Sequence, residues 1–227
     1  DVIDGIPTTV SLSFTTQDAD KVATKSEIDV TEEYRVYNML VFVFKQVNGT
    51  WVKEAMVDTY TTTSNKTSDG GTTAGTVDLS VTSGVKRIYA VANGKDNPLM
   101  PIADIEAVNS LDDFLALTAV MRSETVERGQ SNLMMSGMFE TGNNVDGTVT
   151  ISPEDNNKTL SSGKVKLKHL DSKITFEITA ADGITFTPRE WRVVNVPVTS
   201  YVVEKTYLVG GENHDAVGYS AAEDYFT

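Results

Sequence analysis

The sequence predicts an all-β fold with one or two short helices, arranged as a β-sandwich. Many short stretches of the 227 residues alternate apolar with polar side chains, or are rich in β-branched and aromatic residues, which is typical of strands. Clusters of glycine, threonine, serine and asparagine separate these stretches, as turns and loops do. A single segment spaces its apolar residues like an amphipathic helix, which disfavours folds built on crossover helices.

The first predicted strand is followed by an unusually polar tether. Val10, Leu12 and Phe14 alternate with threonine and serine, so their side chains share one face of a half-buried strand. The residues that follow carry Lys21 and Lys25 and have no apolar pattern. The sequence therefore predicts a well-formed strand held by an exposed connection that a protease can reach.

The next segment predicts a hairpin with a deeply buried first strand. Residues 39–44 are almost continuously apolar, which indicates a central strand covered on both faces. Asn48-Gly49 then predicts a tight turn, and residues 50–60 return as the second strand. Residues 61–76 are mostly threonine, serine and glycine and predict a surface loop.

The remaining chain predicts further strands and one helix. Ser110 and Asp113 resemble a capping box that starts the helix. The apolar residues at helical spacing behind it are Leu111, Phe114, Leu117 and Met121. A shorter helical turn is expected at 102–108. Strands are expected at 77–81, 84–93, 133–140, 147–152, 164–170, 172–180, 189–198 and 200–209.

Composition argues against several classes of function. The 32 acidic and 19 basic residues give a net charge of −13, which repels nucleic acid and anionic lipid. The chain has no cysteine, and no apolar run approaches the ~20 residues of a membrane helix. Its start has no basic region followed by an apolar stretch, so we expect any export signal to have been removed or never to have existed.

Residues that could perform chemistry do not form a recognisable site. His169 and His214 have no second histidine at ligand spacing, so neither a metal nor a cofactor is predicted. Carboxylate pairs such as Asp112/Asp113 and Glu154/Asp155 are expected to be solvated loop and helix-cap acids. The chain is therefore not expected to be an enzyme. The alternative is a surface module that binds glycans or proteins, the former through a tryptophan, Trp51 or Trp191.

Four segments, in this order, resemble the fimbrillin family, the subunits of type V pili from Bacteroidia. They are "KRIYAVANG" (86–94), "LMMSG" (133–137), "VKLKHLDSKITFEI" (165–178) and "WRVVNVPVTSYV" (191–202). The resemblance implies two tandem transthyretin-like β-sandwich domains and a structural role in adhesion without catalysis. We expect residues 1–159 to form the first domain, with a removable first strand. Residues 160–227 would then form a second, incomplete domain of about 68 residues, short of the usual domain size.

The resemblance also implies how such a subunit assembles. A trypsin-like surface protease would cut the tether, here between Lys25 and Ser26, and the exchangeable strand carrying Val10, Leu12 and Phe14 would leave. Its place would be taken by donor-strand exchange with another pilus subunit, in a homo- or hetero-polymer. The precursor would be a lipoprotein of the outer membrane, anchored through a lipid upstream of the chain, and the mature subunit would lie in the fimbrium at the cell surface.

Overall fold

The computed structural model describes residues 3–16, 34–59, 73–95, 97, 102–120, 133–142, 146–170, 179–185, 187 and 199–203. Its elements, in chain order, are β1 (Pro7–Thr16), β2 (Met39–Val47), β3 (Thr50–Asp58), β4 (Ala74–Thr82), β5 (Gly84–Ala92), α1 (Leu111–Ala116), β6 (Thr118–Val120), β7 (Met135–Thr141), β8 (Thr148–Ile151), β9 (Lys158–Thr159), β10 (Gly163–His169) and β11 (Thr199–Tyr201). Short 3₁₀ turns lie at Ile105–Ala107 and Pro153–Asp155. This content confirms the predicted all-β fold class with a short helix.

Most of the strands belong to one nine-stranded sheet. Its order is β3-β2-β5-β7-β10-β1-β4, with β8 paired to the first half of β5 and β9 paired to part of β1. The other neighbours are antiparallel, but β1 runs parallel to both β9 and β10. Separately, β6 and β11 form a small antiparallel sheet.

The large sheet curls until its two end strands meet. The Glu54 carboxylate on β3 accepts hydrogen bonds from the Thr82 backbone N–H (3.0 Å) and hydroxyl (2.5 Å) at the end of β4. Apolar side chains of β1 and β4 consequently share one core with those of β2, β5 and β7. The predicted sandwich is thus built from one continuous sheet.

A second apolar cluster covers the outer face of β2 and β5. There the ring of Phe114, from α1, lies 4.8 Å from Phe42 and 5.3 Å from Tyr89, measured between ring centroids. All six residues of the segment 39–44 are buried, three facing each cluster. This confirms the prediction of a central strand covered on both faces.

Two local predictions are confirmed by backbone geometry. Asn48 and Gly49 both have positive φ (51° and 85°) and connect the paired ends of β2 and β3, as a two-residue hairpin turn requires. At α1, the Asp113 N–H donates to the Ser110 hydroxyl at 3.1 Å, and the Ser110 N–H donates to the Asp113 carboxylate at 2.9 Å. The helix therefore begins with the expected capping box.

Three predicted boundaries need correction. The helix expected to include Leu117 ends at Ala116, and β6 begins at Thr118. The loop expected at 61–76 ends sooner, because β4 already begins at Ala74 and pairs with β1 from there. The expected division between residues 159 and 160 falls inside the large sheet, since β10 pairs with β1 and β7. A second domain remains a prediction, and β11, which follows β10 in the chain, pairs with β6 of the preceding part. Most of the strand predicted at 172–180, and all of 189–198, lies outside the described residues.

Candidate functional site

The structure brings the three predicted exchangeable residues together inside the sheet. Val10 and Leu12 are completely buried and Phe14 is 4% exposed, all in the core that the curled sheet encloses. On one side, β1 pairs antiparallel with β4 over nine residues; on the other it pairs parallel with β9 and then β10. We call the space between β4 and the β9/β10 edge the β1 slot. It is an internal position of the sheet, so a strand that leaves it exposes two edges.

Backbone hydrogen bonds hold β1 along the parallel side. The carbonyl oxygen of Thr9 accepts from the N–H of Asn157 at 2.7 Å, and that of Ser11 accepts from the N–H of Leu160 at 2.9 Å. The Thr9 N–H in turn donates to the Asn156 side-chain oxygen at 2.9 Å. An empty slot would leave such groups unpaired, which makes it a template for another extended segment.

The start of β1 is fixed by the turn between β4 and β5. The Ser83 N–H donates to the Ile6 carbonyl at 2.8 Å, and the Ile6 N–H donates to the Ser83 hydroxyl at 3.0 Å. The same hydroxyl donates to the carbonyl of Ile3. On the outer face of the sheet, the Ser11 hydroxyl donates to the Asp78 carboxylate at 2.6 Å. These contacts on the start and the outer face of β1 are polar, whereas the side chains of Val10, Leu12 and Phe14 on its buried face are apolar.

The chain between β1 and β2 connects strands that are not neighbours. In the sheet order, β10, β7 and β5 lie between them. A single cut in this connection leaves β1 attached to the rest of the protein by non-covalent contacts. The predicted processing residues Lys25 and Ser26 lie outside the described residues.

A buried polar cluster attaches β4 to the sheet independently of β1. The pairing of β2 with β3 shifts by one residue, so Glu54 is the extra residue of a β-bulge. Its carboxylate accepts from Thr82 and lies 2.9 Å from the Lys86 ammonium, which is 2% exposed as a residue. Lys45 lies further from it, at 3.7 Å. We call Lys45, Glu54, Thr82 and Lys86 the Glu54 cluster; among the described strands, β1 is otherwise the sole ladder partner of β4.

The electrostatics of the Glu54 cluster favour the ionised carboxylate. Burial alone would raise the pKa of Glu54. The hydrogen bonds from Thr82 and the hydrogen bond and charge of Lys86 outweigh burial and hold the pKa below its usual value. The cluster is therefore a charged, hydrogen-bonded bridge between β3, β4 and β5.

Of the tryptophans and histidines singled out in the sequence, the structure describes Trp51 and His169, and it does not bring them together. Trp51 packs against the outer apolar cluster, and the Arg87 guanidinium lies 4.9 Å from the centre of its ring, which leaves little of the ring for a sugar. His169 stacks on Tyr34 with 4.8 Å between ring centroids. Trp191 and His214 lie outside the described residues.

One acid of each carboxylate pair noted in the sequence, Asp113 and Asp155, caps a helical turn. Asp113 caps α1, and the Asp155 carboxylate accepts from the Ser152 N–H at 2.7 Å in a 3₁₀ turn. Within the described residues, no group of three potential ligands is placed to hold a metal ion. In that same part of the chain, none of the helices has the length and apolar character needed to cross a bilayer.

Sequence reasoning missed two features of the site. Gly75 was assigned to a loop, yet it lies in β4 directly opposite Phe14. The Glu54 cluster was not foreseen either, although a lysine within the apolar strand 84–93 is a signal that a buried partner exists.

Comparison with known proteins points to one family. The model of the family described as major fimbrial subunit protein (FimA) matches residues 8–179. Among solved structures, the chain is similar to a fimbrilin (FimA) from Porphyromonas gingivalis W83, with 16% identity, a TM-score of 0.38, and coverage of 71% of this chain and 39% of that one. It is also similar to the tip fimbrial protein Mfa3 from Porphyromonas gingivalis, with 16% identity, a TM-score of 0.45, and coverage of 72% and 48%. The chain thus spans less than half the length of either protein. No curated protein sequence matches it significantly.

Proposed function

Because this chain belongs to the major fimbrial subunit (FimA) family, we propose that it is a structural subunit of an adhesive cell-surface pilus, assembled by protease-triggered donor-strand exchange. In this proposal a trypsin-like protease cuts between Lys25 and Ser26 and β1 leaves as part of the N-terminal fragment. A strand from another pilus subunit, of the same or a different kind, then occupies the β1 slot.

The position of β1 is the observation that carries the proposal. It completes an internal position of the sheet, and three strands lie between it and β2, the next described strand in the chain. Cutting the chain at Lys25 separates β1 covalently from every other described strand of the sheet. Few positions in a sheet allow an entire internal strand to be released by one cut.

The energetics of β1 binding are consistent with strand exchange that begins only after cleavage of the tether. Burying the side chains of Val10, Leu12 and Phe14 is worth about 1.5 to 3 kcal/mol each, or roughly 5 to 9 kcal/mol together before ordering costs. While the tether is intact, β1 occupies the slot at a high effective concentration and excludes a competing strand. After the cut, β1 and a strand from another subunit compete as separate molecules.

Strand exchange also requires the strands on both sides of the β1 slot to stay in place when β1 leaves. The Glu54 cluster keeps β4 in place on one side, because it connects the Thr82 end of β4 to β3 and β5 through contacts that do not involve β1. An incoming strand would then find both edges in place. Without such a bridge, β4 would be held only by side-chain packing and by its covalent connection to β5 through Ser83.

The remaining parts of the proposal follow from family membership. The family consists of structural fimbrial subunits rather than enzymes, so we propose no catalytic role. We propose that the precursor is a lipoprotein carried to the outer membrane and that the mature subunit lies in the fimbrium. We also propose that the large sheet belongs to the first of two tandem domains.

The test is to treat the full chain with a trypsin-like protease and to sequence the new amino terminus. We expect a terminus at Ser26 and slow replacement of the released fragment by an added peptide of residues 7–16, measured by intact mass. Lys21→Gln should behave like the wild type, whereas Lys21→Gln with Lys25→Gln should remain uncut in the tether. A chain that stays intact around Lys25, or is cut elsewhere only, contradicts the proposed switch.

A further inference from the structure

The ring of Phe14 occupies space that the neighbouring strand leaves open. Phe14 pairs with Gly75 on β4 and with Val165 on β10. A Cβ atom built on Gly75 would lie 2.9 Å from Cε1 and 3.0 Å from Cζ of the Phe14 ring. A side chain at residue 75 would therefore displace the Phe14 ring, whereas glycine leaves the ring room at this point of β4.

The other two buried apolar residues of β1 face ordinary side chains. Val10 pairs with Leu79 and Leu12 pairs with Val77, and all four are buried in the same core. Aliphatic pairs of this kind accept exchanges that conserve volume at low cost. The position of Phe14 is therefore the one along the described slot where shape discriminates between side chains.

This shape also selects a register. A slip of one residue turns the apolar face of a strand outward and is excluded by the pleat. A slip of two residues keeps the apolar face inward, so alternation alone does not prevent it. It would, however, place Phe14 opposite Val77 or Thr73 instead of Gly75. Both of these residues have a side chain where glycine has none.

We propose that the space over Gly75 is the specificity pocket of the β1 slot. The strand that another subunit inserts would carry an aromatic side chain there, with aliphatic residues two and four positions earlier, and would run parallel to β10. This inference rests on the proposed strand exchange. Beyond that exchange, it specifies which side chain the partner strand carries over Gly75 and in which register the strand binds. Alternation of apolar residues alone determines neither.

The experiment offers labelled peptides to the full chain after it has been cut in the tether. Each peptide has the sequence of residues 7–16, and replacement of the resident fragment is measured by native mass spectrometry. A register probe carries Phe14→Ala together with Thr16→Phe, which moves the aromatic ring by two positions but keeps the apolar face. We expect it to exchange about a hundredfold less well than the native peptide, whereas Leu12→Met should lose less than about tenfold.

A reciprocal host tests the pocket itself. A chain carrying Phe14→Ala with Gly75→Val has the large side chain on β4 and the small one on β1. We expect this host to bind the Phe14→Ala peptide in preference to the native one. Equal exchange of the register probe and the native peptide on the wild-type host would overturn the pocket while leaving strand exchange intact. Failure of every peptide, the native one included, would overturn strand exchange and the pocket together. The register probe needs no altered host, so its outcome does not depend on whether the reciprocal host folds.

Discussion

Replacing Glu54 by glutamine takes away the carboxylate that faces the buried Lys86 ammonium at 2.9 Å. The glutamine side-chain oxygen can still accept from the Thr82 N–H, so the substitution chiefly isolates the charge of Glu54. Lys86 is 2% exposed and has little access to water. Breaking one half of a buried ion pair costs about 3 to 5 kcal/mol, because the remaining charge stays buried and uncompensated.

The expected loss is large for a protein of this size. A domain of 150 to 250 residues loses roughly 2 to 4 °C in melting temperature per kcal/mol, so Glu54→Gln should lower it by roughly 6 to 20 °C. Adding Lys86→Met should recover most of the loss, because it removes the stranded charge. The matched control is Glu106→Gln, since Glu106 is 63% exposed on its side chain and lies 3.5 Å from Lys95. A surface pair of this kind is worth less than about 1 kcal/mol.

The pH dependence has a definite sign. The folded state lowers the pKa of Glu54 below its ordinary value of 4.5. A carboxyl group of this kind stabilises the fold above its unfolded pKa and loses that contribution as the pH falls through its folded pKa. The difference in free energy of unfolding between the wild type and Glu54→Gln should therefore be largest at pH 7 and should become smaller below about pH 4.5.

Urea denaturation at pH 7 and at several values below pH 4.5 measures these differences through the midpoint and slope of unfolding. The reasoning is refuted if Glu54→Gln costs no more than Glu106→Gln at pH 7, or if the gap widens as the solution is acidified. It is also refuted if the double variant is less stable than Glu54→Gln alone.

Two further substitutions test the local geometry. Ser110→Ala removes the hydroxyl that accepts from the Asp113 N–H and should cost about 0.5 to 2 kcal/mol in the same assay; no change would argue against the capping box. Gly137→Ala would drive a Cβ into the Lys166 carbonyl oxygen and should destabilise the β7–β10 pairing severely. Gly142→Ala, which meets nothing within 4 Å, is its control, and equal stability of the two variants would contradict the packing described.

Features encoded by neighbouring residues were predictable from the sequence. The apolar run 39–44 became a strand buried on both faces, Asn48-Gly49 became a tight turn, and Ser110 with Asp113 became a capping box. Each depends on contacts within a few positions of the chain, where periodicity and turn chemistry act. The burial of the apolar face of β1 was predictable for the same reason.

Features that depend on distant residues were not predictable. The parallel pairing of β1 with β10 joins Phe14 to Val165, and alternation within either strand does not specify which partner it takes. Gly75 looked like loop sequence because its role is set by the ring of Phe14 across the sheet. Glu54 turns inward because a bulge displaces it by one residue, and its partner Lys86 lies two strands away in the sheet order.

The central claim is that β1 is a removable strand, and a reversible staple tests it most directly. The chain has no cysteine, and Ser11 and Asp78 pair across β1 and β4 on the outer face, so Ser11→Cys with Asp78→Cys can place a disulfide between the two strands. After the tether is cut, we predict that the oxidised protein keeps its N-terminal fragment in an excess of the peptide of residues 7–16. The same protein should exchange the fragment once it is reduced. Retention of the fragment by the reduced, cut protein would contradict the account.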